Sequence, residues 1–265
     1  MAEIVREAGQ MVLAYFETGE VPVHAKGTMD VVTAADLESE RFIADALRAA
    51  FPQDGIVAEE GARSTARGER CWYIDPLDGT LNFSRGLPVW CVTVSLFEEG
   101  EPVLGVVLDP VRREMFSGAT GLGAWCNDQA LTGSHVTALN QALVQATVDF
   151  HDDTLHAGLR DLNAIAPCVL RTRNLGAAAL TLAYIAAGRM DAMLHRYAHP
   201  WDYGAAVAIV QAAGGVVTAM NGDRYSAEVE SIAAAGTPEL HQALLDLLSD
   251  ADNNGVGSAG ASGQR

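Results

Sequence analysis

Three places in the chain carry carboxylates that do not fit the polar helix faces where most of its acids lie. Glu59 ends an apolar run, Ile56-Val57-Ala58. Asp75 ends a second one, Cys71-Trp72-Tyr73-Ile74, and Asp78 follows three residues later in Asp75-Pro76-Leu77-Asp78-Gly79-Thr80. Asp202 follows His199-Pro200-Trp201 and heads an apolar helix. A carboxylate at the buried end of a strand is strongly disfavoured unless something pairs with it. Few bases lie near these acids in sequence. A hard divalent cation is the simplest partner, and magnesium accepts carboxylates, carbonyls and water in octahedral geometry.

The spacing from Asp75 to Thr80 has a mechanical reading. Pro76 fixes a turn, so that Asp75 and Asp78 face one point and the Leu77 carbonyl also faces inward. Gly79 and Thr80 then open a short helix, whose backbone N–H groups and dipole favour an anion. Metals beside such a helix end amount to a phosphate site. Taken alone, Asp-Pro-x-Asp-Gly is also an ordinary β-turn. The longer string Trp72-x-Ile74-Asp75-Pro76-Leu77-Asp78-Gly79-Thr80-x-Asn82-Phe83 is far more specific.

Charge bears on partners. The 265 residues hold 34 acids and 17 bases, a net charge of −17. That opposes a nucleic-acid surface, which needs clustered Lys and Arg, and equally opposes an anionic membrane. It would also repel an anionic substrate, unless bound metals reverse the local field. Cys71, Cys91, Cys126 and Cys168 form no C-x-x-C pair and read as reduced thiols of a cytoplasmic protein. Glu3, Arg6 and Glu7 interrupt the first apolar residues, unlike a secretory leader, and no apolar stretch reaches the 20 or so residues of a membrane span.

The elements that must position these residues follow from periodicity. Ile4, Ala8, Met11, Tyr15 and Phe16 mark an opening amphipathic helix. A second runs from about Asp36 to Ala50, capped by Thr33 or Asp36 and stopped by Pro52. Gly55–Ala58 and Cys71–Ile74 read as buried strands. Gly61–Glu69 between them reads as a mobile surface loop. Trp90–Phe97, Pro102–Leu108, Glu114–Ser117 and Ala124–Cys126 read as an antiparallel meander, and Ala142–Val148 as a further strand. His151-Asp152-Asp153 with His156 resembles a metal cluster, but its polar setting reads as a solvated loop. Leu175–Ala187 and Asp202–Ala213 read as helices, Val216–Ala219 as a strand, and Thr237-Pro238-Glu239 as the start of a last helix. The blocks suggest residues 1–138 as an N-terminal α+β half, 139–249 as a C-terminal half carrying Asp202, and 250–265 as a disordered tail.

The long string resembles the signature of the inositol monophosphatase family, the magnesium-dependent, lithium-sensitive phosphatases. Lys26 ahead of Asp30-Val31-Val32-Thr33-Ala34-Ala35-Asp36 is similar to the family's segment before its second helix. Ile56-Val57-Ala58-Glu59-Glu60-Gly61 resembles its Gly-Glu-Glu segment, with Ala58 in place of Gly. Trp201-Asp202 with Ala205-Ala206 and Gly214-Gly215 resembles its C-terminal signature. The similarity spans about Ile4 to Leu248.

The resemblance implies an α/β (α+β) layered sandwich of helices and mostly antiparallel sheets, usually a homodimer, hydrolysing a small phosphorylated substrate such as inositol monophosphate. Histidinol phosphate and fructose bisphosphate are substrates of relatives, and a non-catalytic regulatory protein on the same fold is the reading from another class. Glu59, Asp75 and the Leu77 carbonyl match ligands of a first magnesium; Asp75, Asp78 and Asp202 match those of a second. A third is expected near Glu59. Thr80 with Glu59 matches the pair that orients the attacking water, and Asp36 the acid that hydrogen-bonds the threonine. The N–H groups of Gly79 and Thr80 match the phosphate clamp. Lys26, and with it Glu60, stand beside the active-site loop. Asn174, Gly176, Ala177 and Ala178 fall on the substrate side. His195 stands where the family usually has a carboxylate for substrate hydroxyls.

Overall fold

The second helix shows how local chemistry sets the frame. Thr33 caps it, accepting from the Ala35 N–H at 3.2 Å, while Asp36 reaches back to the Thr33 N–H at 2.9 Å. This reciprocal capping box satisfies orphan donors of the first turn. Both expected caps therefore act together. Ile43 and Leu47 are fully buried from the same helix, each contributing about 1.5–3 kcal/mol.

The computed structural model describes residues 1–19, 23–25, 31–64, 69–148, 152–197 and 199–258. The helices are α1 (Ala2–Thr18), α2 (Ala34–Ala50), α3 (Thr80–Ser84), α4 (Asp152–Ile165), α5 (Ala178–Ala186), α6 (Pro200–Ala212) and α7 (Pro238–Ser258). The strands are β1 (Val23–Ala25), β2 (Val31–Thr33), β3 (Gly55–Ala58), β4 (Arg63–Ser64), β5 (Arg70–Asp78), β6 (Cys91–Glu98), β7 (Glu101–Asp109), β8 (Glu114–Ala119), β9 (Gly123–Cys126), β10 (Gln129–Leu131), β11 (Leu143–Ala146), β12 (Arg171–Thr172), β13 (Ala192–His195), β14 (Val216–Thr218) and β15 (Ile232–Ala235).

Among the described residues β1 and β2 form a small antiparallel pair. The larger sheet has the order β10-β9-β8-β7-β6-β5-β3-β4. It is antiparallel apart from the β3–β5 pair. The second is mixed, in the order β12-β11-β13-β15-β14. Helices α1 and α2 cover one face of the first sheet, α5 and α6 lie between the sheets, and α4 and α7 cover the far face of the second. The layers pack closely where α6 crosses β7. A Cβ on Gly105 would fall 1.9 Å from the Ala205 carbonyl oxygen, so only glycine fits there.

The layered sandwich is as expected, and the meander from β6 to β9 is present strand by strand. Four readings are corrected. His151 lies outside the described residues, but the stretch after it is the helix α4, not a loop; Ile165 is buried and Leu162 packs beside it. Helix α5 starts at Ala178 and not at Leu175, because Ala177 is extended and caps it. β13 and β15 were not anticipated, since alanine-rich Ile232-Ala233-Ala234-Ala235 carries no β-branched signal beyond Ile232. Helix α7 runs past Asp250 to Ser258, because a helix anchored by Leu240, Leu244 and Leu248 propagates one residue at a time. Residues 259–265 of the expected tail, and 65–68 of the Gly61–Glu69 loop, lie outside the described residues.

Candidate active site

Strand pairing brings the first two carboxylates together. β3 and β5 are parallel, with Ala58 opposite Ile74. Their next residues, Glu59 and Asp75, therefore lie side by side where that pairing ends, and the Glu59 N–H donates to the Ile74 carbonyl at 3.2 Å. Carboxyl ends of parallel strands are where α/β sheets place ligands. The Glu59 segment is held from behind by the buried Glu40, whose carboxylate accepts from the N–H groups of Glu60 at 2.6 Å and Ala62 at 2.7 Å. Glu60 thus contributes a backbone donor to that clasp.

A bulge places the third. Asp75 pairs with Thr93 and Asp78 with Cys91, so three steps along β5 match two along β6. Asp75 Oδ1 accepts from the Leu77 N–H at 2.9 Å. Asp78 accepts from the N–H groups of Ala178 and Ala179 at 3.0 and 2.9 Å and from the Cys91 thiol at 3.4 Å. Asp78 therefore also caps α5, a role not anticipated from sequence.

Asp202 arrives from the first turn of α6, where it accepts from the His199 N–H at 2.9 Å. The preceding carbonyl, of Trp201, accepts from the Thr93 hydroxyl at 3.2 Å, tying α6 to the residue opposite Asp75.

The electrostatics record the convergence. Asp75 is 3% exposed. Burial first, then the charges of Glu59, Asp78 and Asp202, push its carboxyl well above the usual range, against a smaller downward pull from the Leu77 N–H. Burial also raises Asp78, while its donors lower it. Burial and then the Asp78 and Asp75 charges push the Cys91 thiol well up. Four widely separated acids thus share one field. Among the described residues no group of three or more His, Cys, Asp or Glu side chains is placed to hold a metal ion. As a donor set they are oxygen only and mutually repelling. That chemistry fits a hard divalent cation, which would draw the carboxylates inward.

Beside them Gly79 turns the chain with φ +91° and caps α3. The Thr80 hydroxyl lies 2.9 Å from the Leu77 carbonyl and 3.3 Å from Asp36 Oδ1, so the expected Asp36–Thr80 contact is present. Asp36 also accepts from the Thr33 hydroxyl and N–H; burial raises its carboxyl and these donors pull it down.

The second-half loop abuts the Gly79 turn. A Cβ on Gly79 would fall 3.2 Å from the Ala177 methyl and 3.3 Å from the Gly176 carbonyl oxygen. Asn174 is exposed and accepts from the Gly176 N–H at 3.1 Å. Ala177 is buried, and its methyl backs the Gly79 turn. His195 ends β13, half-buried, with its ring edge-on to Tyr203 at 5.6 Å. Lys26 lies outside the described residues. Asn82 was not singled out, yet it joins the two halves of this region, donating at 2.8 Å to both Val89 and Leu175 carbonyls. Its place in the Asp75–Phe83 string was the only sequence signal.

Comparison with known proteins gives concordant results. A family model described as the inositol monophosphatase family matches residues 1–253. The Nus factor SuhB of Pseudomonas aeruginosa is 38% identical over 250 residues, 92% of each chain. The fructose-1,6-bisphosphatase/inositol-1-monophosphatase of Thermotoga maritima is 35% identical over 225 residues, 85% of each. The inositol-1-monophosphatase of Bacillus subtilis is 30% identical over 247 residues, 91% of this chain and 92% of its own. Among solved structures, the suhB protein of Bartonella henselae superposes with a TM-score of 0.89 at 30% identity, over 94% of this chain and 96% of that one.

Proposed function

Since the chain belongs to the inositol monophosphatase family, whose members act on small phosphorylated substrates, we propose that it is a magnesium-dependent phosphomonoesterase that hydrolyses inositol monophosphate to inositol and phosphate. One observation carries this reading: the buried Asp75 sits in the combined field of Glu59, Asp78 and Asp202, beside the Gly79 turn. Those four side chains and the Leu77 carbonyl would hold two or three magnesium ions. Bound there, the ions would supply an acidified water and would neutralise charge on the phosphoryl group and the departing oxygen.

The chain's own residues do the rest. Glu59 and Thr80 orient the attacking water. A hydroxyl has one proton to give, so Thr80 directs it to the Leu77 carbonyl or Asp36 and turns its lone pairs to the water. The N–H groups of Gly79 and Thr80 hold the phosphate oxygens. Asn174 and His195 meet the hydroxyls of the alcohol, with Gly176 leaving room between them, and Lys26 adds positive charge beside the loop. Water adds to phosphorus, the ester P–O bond breaks, and the alcohol leaves with a proton. No covalent phosphoenzyme forms. The protein acts in the cytoplasm as a homodimer.

The relatives' names support the chemistry more than the alcohol: one is called an inositol-1-monophosphatase and another also a fructose-1,6-bisphosphatase. Phosphate release should therefore be measured on inositol monophosphates, histidinol phosphate and fructose bisphosphate, each with magnesium, without it, and with lithium. The reading expects fastest turnover on inositol monophosphate, only with magnesium, and inhibition by lithium. Faster release from another ester would reassign the substrate; release without divalent metal would reject the mechanism. The relative named a Nus factor favours a second reading, a regulatory role separable from turnover. With a net charge of −17 the partner would be a protein and not bare nucleic acid.

A further inference from the structure

One buried side chain beside the carboxylates has no part in the reaction proposed above. Cys91 opens β6 and is fully buried. The bulge in β5 sets it directly opposite Asp78 in the ladder. Its thiol donates to Asp78 Oδ2 across 3.4 Å. The backbone donors to Asp78, the Ala178 and Ala179 N–H groups with that of Leu180 behind them, come from α5 in the layer between the sheets. Cys91 comes from the neighbouring strand instead. The carboxylate is thus gripped from two elements. A buried cysteine most often serves as a small apolar residue; here its S–H meets a carboxylate oxygen of the half-buried Asp78. The α5 donors all approach from one side, and the thiol shares Oδ2 with the Ala179 N–H from another, which narrows the swing left to the carboxylate.

We propose that Cys91 is a positioning residue, whose S–H fixes the Asp78 carboxylate in the orientation that receives a divalent cation. The inference rests on the reading of Asp78 as a metal ligand. Groups that orient metal ligands typically account for 10–100-fold in affinity, and a thiol is a weak donor, so its share is set at about fivefold.

The test is titration calorimetry of magnesium into metal-free protein, for wild type, Cys91→Val, Cys91→Ser and Asp78→Asn, with metal-free thermal midpoints recorded for each. The expected result is magnesium binding by wild type, binding at least tenfold weaker in Asp78→Asn, and about fivefold weaker in Cys91→Val. Cys91→Ser, which keeps a donor, binds within about twofold of wild type. Should the valine variant fail to fold, Cys91→Ala gives the same comparison. Unchanged affinity in Cys91→Val, with Asp78→Asn impaired, overturns the role of Cys91 and leaves the metal reading standing. Serine as weak as valine also overturns it, because packing and not the donor is then at work. No binding by wild type, or undiminished binding by Asp78→Asn, overturns the metal reading itself.

Discussion

Glu40 shows how a single side chain outside the proposed reacting set can hold one inside it. It is 5% exposed, and its two oxygens take the Glu60 and Ala62 N–H groups. Those bonds fix the turn from which Glu59 projects. In Glu40→Gln the new amide N–H₂ must face one of the two backbone donors, which loses its acceptor while half-buried. The expected cost is about 1–3 kcal/mol, read as a lowered denaturant midpoint, and turnover should fall because the Glu59 turn loosens. Wild-type stability in that variant would show that the clasp is dispensable. At the reacting set itself, Glu59→Gln and Asp78→Asn should abolish magnesium-dependent phosphate release while circular dichroism stays native. Persistent activity in purified Asp78→Asn protein would refute its assignment.

The elements explain why some of the site was legible and some was not. Glu59 and Asp75 could be read directly, because each ends an apolar run visible in one dimension, although β5 carries on through Asp75 to Asp78. The turn at Gly79 was legible, but the expected turn at Pro76 is instead a bulged stretch of β5 that runs to Asp78. Cys91 and Glu40 were not, since their contacts depend on a bulge and on a helix–strand approach that no local pattern encodes. β13 and β15 escaped for another reason: a central strand covered on both faces needs only to be small and apolar there, and alanine gives no strand signal. Tight approach between elements makes its own prediction. With the Ala205 backbone oxygen 1.9 Å from where a Cβ would stand, Gly105→Ala forces α6 away from β7. Asp202 rides on α6, so the variant should lose about 3 kcal/mol, the upper end of the usual overpacking cost, and magnesium affinity should fall with it. Native-like stability in Gly105→Ala would mean that the helix shifts freely.

At the scale of the whole molecule, charge and burial set the response to conditions. No helix among the described residues is long and apolar enough to cross a membrane, and the cysteines are all free thiols, so reductant should leave the unfolding transition in place. His241, on α7, is 6% exposed with Nε2 3.0 Å from the Thr218 hydroxyl. Burial lowers its pKa, against a smaller upward pull from the Ala233 backbone. The folded state therefore keeps it neutral where the unfolded chain would take up a proton. Its contribution is full above the ordinary histidine value near 6.5 and declines as pH falls below that, until the lowered folded value is passed. His241→Gln should flatten that part of the stability curve between about pH 7 and 5.5; an unchanged slope in denaturant titrations would remove His241 from the account.

The crowding of Glu59, Asp75, Asp78 and Asp202 is read most directly by thermal unfolding of wild type and Asp75→Asn, each in chelator and in excess magnesium. Removing one charge from the crowd should raise the melting point in chelator, because repulsion is relieved. Saturating magnesium, at about 100 times its dissociation constant, is worth about 2.7 kcal/mol, or roughly 5–10 °C in a chain of this size, to wild type and almost nothing to Asp75→Asn. A wild-type midpoint indifferent to magnesium, together with a lower midpoint for Asp75→Asn in chelator, would contradict the account.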